Sequence, residues 1–221
     1  MFYNLLMEIF LEVLNNCQRH ILPNFEFLKA YKFYLAGGTA LALQIRHRTS
    51  VDFDFYTDKE FNSQTVYKQF QEQNNNKILL SSFNDNTLIL EINNINVSLF
   101  NYPYVLAKDL LESRYINLAS IEDIAAMKMI AIIQRGAKRD FIDMYFLIKK
   151  LGLEKIVKIS KEKYTGFNEY LALQSLTYFE DAESETDGRD IKLFDKFNWH
   201  DAKDFFFRES GKMLKIWRQD K

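Results

Sequence analysis

Two aspartates, Asp52 and Asp54, stand two residues apart in the stretch KFYLAGGTALALQIRHRTSVDFDFYT, which runs from Lys32 to Thr57. Val51, Phe53 and Phe55 alternate with them, a period of two that predicts a strand with both carboxylates on one face, roughly 7 Å apart, and an apolar opposite face. Carboxylates so placed in a partly desolvated cleft repel each other unless a cation lies between them. Mg2+ is the usual cation where phosphates are also bound. Upstream, Gly37-Gly38-Thr39 forms a predicted turn between an apolar strand, Phe33 to Ala36, and a short helix from Ala40 to about Ile45. Paired glycines let a ligand approach the backbone closely, the helix N-terminus offers unpaired N–H groups to an anion, and Thr39 adds a hydroxyl. An anion cradle followed by D-x-D suits nucleotidyl transfer, with one part to hold a triphosphate and the other to hold the metal.

The rest of the chain supplies the elements that must position these groups. Leu5, Leu6, Ile9, Phe10, Val13 and Leu14 recur at helical spacing and predict an amphipathic helix over residues 2–22, ended by Pro23. Beyond the motif, a polar helix from Ser63 to about Gln73 leads to three strand-like runs, Ile78 to Phe83, Leu88 to Ile92 and Ile95 to Tyr102. Asn84-Asp85-Asn86 and Asn93-Asn94 separate them, and asparagine tolerates positive φ, so an antiparallel meander joined by tight turns is expected. After Pro103 the strand signal ends. Ser120-Ile121-Glu122-Asp123 resembles a capping box opening a helix over Ile121 to Arg135, and Gly136 breaks it. Further helices are expected from Arg139 to Lys150, Glu154 to Lys163, Phe167 to Ala182 and His200 to Trp217, with an exposed connection at Glu183 to Arg189. The predicted class is α+β: a mixed sheet with flanking helices over residues 1–105, then a helical domain over 106–221 that closes the active-site cleft.

A second constellation lies in the helical half. Lys128 is the one charged residue in the apolar run Ile124 to Ile133, and Asp140 and Asp143 share a face of the next helix among large apolar residues. As part of an active site, Lys128 would hold triphosphate and the aspartates would lie near the metal or the incoming hydroxyl. As purely structural groups, Lys128 would reach solvent and the aspartates would pair with Arg135, Lys138 or Arg139 to lock two helices together. Physical chemistry weighs these two equally.

Composition sets wider bounds. The chain has 221 residues, 48% hydrophobic and 27% charged, with a net charge of −1, so nucleic-acid binding would need a local basic patch. One cysteine, Cys17, excludes an internal disulfide framework, fits a reducing compartment and reads as a core or near-surface thiol. His20, His47 and His200 lack zinc-type spacing. No basic leader or long uncharged run is present, so a cytoplasmic protein without a membrane span is expected.

The spaced motif Gly37-Gly38-Thr39-Ala40-Leu41, then His47-Arg48-x-Ser50-x-Asp52-Phe53-Asp54-Phe55, resembles the signature of the AbiEii/AbiGii toxin family, nucleotidyltransferases of bacterial abortive-infection toxin–antitoxin systems within the DNA polymerase β-type superfamily. Asp123-Ile124-Ala125-Ala126-Met127-Lys128, with Arg135-Gly136-x-Lys138-Arg139-Asp140-Phe141-Ile142-Asp143, is similar to that family's second block, and LALQSLTYFEDAE from Leu171 with Asn198 to Phe206 is similar to its C-terminal segment. The resemblance implies magnesium-dependent transfer of a nucleoside monophosphate from NTP to a hydroxyl, with the tRNA 3′ end as acceptor and an antitoxin encoded nearby. Catalytic roles then fall to Asp52, Asp54, Lys128, Asp140 and Asp143, with Asp52 and Asp54 as metal ligands. Nucleotide-binding roles fall to Gly37, Gly38, Thr39, Arg48, Ser50 and Arg139. Arg46, His47 and Arg48 would line the cleft, or else form an exposed basic turn at a helix end. The pattern departs at one place: where the superfamily carries a third metal-binding carboxylate, Ile95 to Phe100 offers Ser98. Asp140 or Glu91 would complete the shell, or turnover would be reduced, although Glu91 reads more simply as a solvated strand residue. Two rivals remain open at this point: transfer to a small-molecule or protein hydroxyl, and a catalytically weak nucleotide-binding regulatory module.

Overall fold

The computed structural model describes residues 9–73, 77–185 and 191–219. The chain divides into two compact units, Met1–Ser120 and Ile121–Lys221. In the first unit a seven-stranded mixed sheet has the order β3-β4-β5-β2-β1-β7-β6, with β1 Tyr34–Ala36, β2 Phe53–Thr57, β3 Ile78–Asn84, β4 Thr87–Ile92, β5 Ile95–Asn101, β6 Leu111–Glu112 and β7 Asn117–Leu118. Strand β2 runs antiparallel to β1 and parallel to β5. The expected alternation is present: Phe53 and Phe55 are buried while Asp54 and Tyr56 are half-buried. Phe25 meets the rings of Phe53 and Phe55 edge-on, with centroids 5.0 and 4.9 Å apart, so the face opposite Asp54 is anchored in an aromatic core. The β4–β5 hairpin turns on Asn93 and Asn94, both at positive φ, as their side chains permit. The chain is α+β.

Helices flank the sheet. They are α1 Asn16–Ile21, α2 Gly37–Ile45 and α3 Ser63–Glu72. Helix α2 is buried from Thr39 to Gln44, and the Gln44 amide donates to the carbonyls of Ala40 and Ala119 at 3.0 Å each, tying the helix to the strand end after β7.

Three expectations for this unit are corrected. The single helix over residues 2–22 is not present among the residues described, and residues 1–8 lie outside them. A 3-10 turn at Leu11–Val13 precedes α1, and Asn15 opens α1 with a reciprocal capping box to Gln18. A side chain able to cap starts a new helix wherever the chain can turn, and here Phe10 N–H donates to the Leu43 carbonyl, drawing the segment against α2. The second correction concerns Asp52, which lies just before β2 rather than within it. Thirdly, the strand signal does not end at Pro103: β6 and β7 add two-residue strands to the sheet edge, too short to show a period.

The second unit is helical: α4 Ile121–Arg135, α5 Lys138–Leu151, α6 Leu153–Lys163, α7 Glu169–Ser175, α8 Glu180–Ser184 and α9 Trp199–Gln219. Gly136, at φ +54, ends α4 as expected. Its core includes a ring cluster of Phe141 with Phe179, Trp199 and Phe206 at 5.1, 5.9 and 5.5 Å. The helix expected over Phe167 to Ala182 is instead two short helices, α7 and α8. The Thr177 hydroxyl donates to the Gln174 carbonyl at 2.9 Å, offering the backbone a local alternative to continued helix. Part of the connection expected at Glu183 to Arg189 lies outside the described residues. Among the described residues no helix is long and apolar enough to cross a membrane. Cys17, free and exposed on α1, is not a core thiol.

Candidate active site

The glycine pair and the aspartates meet at the junction of β1, α2 and β2. Ala36 on β1 lies opposite Asp54 on β2, so the next residue, Gly37, comes up against the Asp54 side chain. Gly37 has φ +68, and a Cβ built on it would lie 3.2 Å from Asp54 Oδ2. Only glycine adopts this left-handed turn at no steric cost. No side chain caps α2 at Ala36, so the first N–H groups of a nine-residue helix open beside a carboxylate, the geometry of an anion site.

Asp52 is held at two points. The Thr39 hydroxyl donates to its backbone carbonyl, and since that hydroxyl has one proton, the Ser50 hydroxyl is the donor in the 2.7 Å bond joining the two side chains. Asn96 Nδ2 donates to Asp52 Oδ1 at 3.1 Å. Asn96 was not among the expected site residues; it alternates with Ser98 on the strand whose register sets Ser98 beside Asp54. Glu91 pairs with Asn96 across the hairpin and is half-buried. Among the described residues no three His, Cys, Asp or Glu side chains gather as a metal cage. Two hard carboxylate oxygen donors are nonetheless the usual protein contribution to Mg2+, which takes its remaining ligands from water and substrate phosphates. Asp52 and Asp54 fit that ion.

Arg48 and Ser50 are buried, and Arg48 Nη1 donates to the Thr49 carbonyl at 2.9 Å. His47 is fully buried, while Arg46 ends α2 at positive φ with Nε on Glu12 at 2.7 Å. Arg46 is thus exposed at the helix end, whereas His47 and Arg48 pack inside the loop that presents Asp52.

In the second unit, Lys128 on α4 is buried and its ammonium lies 2.8 Å from Asp140 Oδ1 and 2.7 Å from Asp143 Oδ2, both carboxylates fully buried on α5. Arg135 closes the group in fork geometry, Nε on Asp140 Oδ2 at 2.7 Å and Nη2 on Oδ1 at 3.1 Å. Burial pushes the Asp140 carboxyl towards its neutral form, but Lys128 and Arg135 outweigh burial and hold it below the ordinary aspartate range. Lys128 does not run out to solvent; it is itself the cation that locks the helices. Arg139 is half-buried on α5, and the Lys138 ammonium lies over the Trp199 ring. A second buried pair was not legible in the sequence: Lys163 at the end of α6 meets Asp123 in the first turn of α4 at 2.7 Å, with both side chains almost fully buried.

Gly37→Ala tests the junction. Forcing alanine into the left-handed region costs about 1–2 kcal/mol, and relief of the 3.2 Å contact displaces the Asp54 carboxylate. A melting point lower by a few degrees with transfer reduced more than about ten-fold is expected. Unchanged initial rates would show that Asp54 need not hold its position.

A mixed sheet with flanking helices, an uncapped helix start and paired carboxylates defines the nucleotidyltransferase fold class. The structure resembles JHP933 from Helicobacter pylori, at TM-score 0.58 and 17% identity over 93% of each chain. It also resembles MenT4, the nucleotidyltransferase toxin Rv2826c of Mycobacterium tuberculosis H37Rv, at TM-score 0.55 and 14% identity over 88% of this chain and 81% of that one. Residues 22–80 and 82–209 match the family model described as nucleotidyl transferase AbiEii toxin, type IV TA system. The chain belongs to this family and is a nucleotidyltransferase. The uncharacterized protein aq_aa25 of Aquifex aeolicus (strain VF5) is 38% identical over 188 residues, 82% of this chain and 88% of that protein. Family membership carries NTP as substrate and an antitoxin as partner.

Proposed function

We propose that this toxin transfers a nucleoside monophosphate from NTP to the 3′-terminal hydroxyl of tRNA, with Mg2+ held by Asp52 and Asp54. The observation that carries the reading is the close approach of Gly37 to Asp54, whose Oδ2 would lie 3.2 Å from a Cβ added at Gly37, and which sets an uncapped helix start beside that carboxylate. The N–H groups from Gly37, Gly38 and Thr39 bind phosphate oxygens, and the Thr39–Ser50 bond fixes the backbone at Asp52. Bound at the carboxylates, Mg2+ supplies charge to the phosphates and lowers the pKa of the acceptor hydroxyl. That hydroxyl gives up its proton to water as its oxygen bonds to the α-phosphorus, and the bond to the bridging oxygen breaks to release pyrophosphate. Lys128 takes triphosphate oxygens in this reading, Asp140 and Asp143 orient its ammonium, and Arg48 and Arg139 add positive charge around the nucleotide.

Incubation of the protein with each α-labelled NTP, Mg2+ and total bacterial tRNA tests it directly. Label is expected in tRNA with the intact protein and absent with Asp52→Ala. Pyrophosphate release without labelled RNA would retain the transfer chemistry and remove tRNA as acceptor. An Asp52→Ala variant as active as the intact chain would remove Asp52 from the site.

A further inference from the structure

A cavity of about 750 Å³ opens in the first unit, lined by residues that include Lys32, Tyr34, Asp58, Tyr104, Lys108 and Glu112. None of these was assigned a role above. The cavity adjoins the candidate active site through the sheet: Tyr34 is two residues before Ala36 on β1, and Tyr34 pairs with Tyr56 where Ala36 pairs with Asp54. The lining therefore begins roughly 7 Å along the strand from the Asp54 position and on the same face.

A row of aromatic rings leads away from that position. Tyr34 stacks with Tyr56 at 6.3 Å, Tyr56 meets Tyr102 at 5.4 Å, and Tyr102 meets Tyr104 at 4.7 Å. Tyr34 is buried, whereas Tyr104, at the far end of the row, is 39% exposed. The charges around the cavity do not favour phosphate. Three lysines and three carboxylates line it; the Lys29 ammonium already donates to the Ser113 and Arg114 carbonyls at 2.6 and 2.9 Å, and Asp58 is paired with Lys59. A phosphate groove needs an excess of cations. A volume within the range of small-ligand pockets, with tyrosine rings and no net charge, suits a flat, uncharged aromatic body.

We propose that this cavity is a nucleobase-stacking subsite, with Tyr104 as the platform. The inference rests on the nucleotidyltransfer reading. With the terminal hydroxyl at Asp52 and Asp54, an unpaired base a nucleotide or two back from the 3′ end of an acceptor RNA reaches the tyrosine row. The incoming NTP is the other source of a base, and affinities for the two ligands separate them.

The test uses the full chain and reads binding rather than turnover. Affinity for a fluorescently labelled single-stranded RNA tetranucleotide, and separately for each NTP, is measured for the intact protein, Tyr104→Ala and Tyr104→Phe. Tyr104→Ala is expected to weaken one of the two ligands about ten-fold, while Tyr104→Phe, which keeps the ring, stays within about two-fold. Weaker RNA binding assigns the cavity to the acceptor, and weaker NTP binding assigns it to the incoming nucleotide; either supports the subsite. Both affinities unchanged in Tyr104→Ala overturns it, as does an equal loss in Tyr104→Phe, which would point to the hydroxyl. Melting curves of the variants exclude loss of fold. Labelling of tRNA by a Tyr104→Ala variant whose affinities match the intact protein would leave the transfer reading standing and remove this one alone.

Discussion

Asp54→Asn is expected to lower nucleotide transfer by about 10³-fold while leaving the melting temperature level or slightly raised. Asparagine keeps the size of the side chain, so the contact with Gly37 and the burial of Phe53 and Phe55 beneath the strand survive. What is lost is one of two negative charges available to a metal. Charge stabilisation by a catalytic metal amounts to several kcal/mol in the transition state, and each 1.36 kcal/mol is a factor of ten in rate, which sets the scale of the loss. The fold gains slightly, because removing one of two neighbouring like charges relieves repulsion between them. Pyrophosphate release at saturating NTP, paired with thermal unfolding in the absence of Mg2+, measures both. A fall in melting temperature of several degrees with the same loss of rate would mean that Asp54 acts through the fold. A rate within ten-fold of the intact protein would remove it from the chemistry.

What the sequence discloses depends on how each element is specified. Strand β2 is legible because Asp54 and Tyr56 alternate with Phe53 and Phe55, and the buried rings fix which face the carboxylate takes. The β4–β5 turn is legible because Asn93 and Asn94 suit positive φ, and α4 because Gly136 stops it. Strands β6 and β7 are different: two residues carry no period, and they exist because β7 pairs with Leu35 on β1, a partner more than eighty residues away in sequence. The same limit applied to Arg48. The run of Arg46, His47 and Arg48 reads equally as cleft lining or as an exposed basic turn; in the structure Arg46 is exposed while His47 and Arg48 are buried, and Arg48 donates to the carbonyl of Thr49, a bond set by backbone path. In the active-site region, residue types were readable because the chemistry needs them, whereas Asn96 became visible only through the register of β5 against β2.

Lys128 poses the question that the sequence left balanced, and its replacement separates fold from chemistry. Lys128→Met keeps the aliphatic length but removes the cation between Asp140 and Asp143. Asp140 retains Arg135, while Asp143 loses a 2.7 Å partner in a site with no solvent exposure. Removing one member of a buried ion pair costs about 3–5 kcal/mol, so chemical denaturation should show a loss of that order. Adding Asp140→Asn and Asp143→Asn to Lys128→Met removes both buried carboxylate charges along with the ammonium, and most of the lost stability should return. Acid titration reports the same group. Because the folded-state pKa of Asp140 is depressed, its contribution is present above the ordinary aspartate value of 3.8 and is lost as pH falls through the lower folded value. The triple variant should lack that contribution and lose less stability over this acidic window. Transfer activity then decides between the two roles. If Lys128 serves only to lock α4 against α5, the triple variant, with its fold restored, recovers activity along with stability. If Lys128 also holds triphosphate, as proposed, the triple variant folds and stays inactive, with NTP affinity lowered.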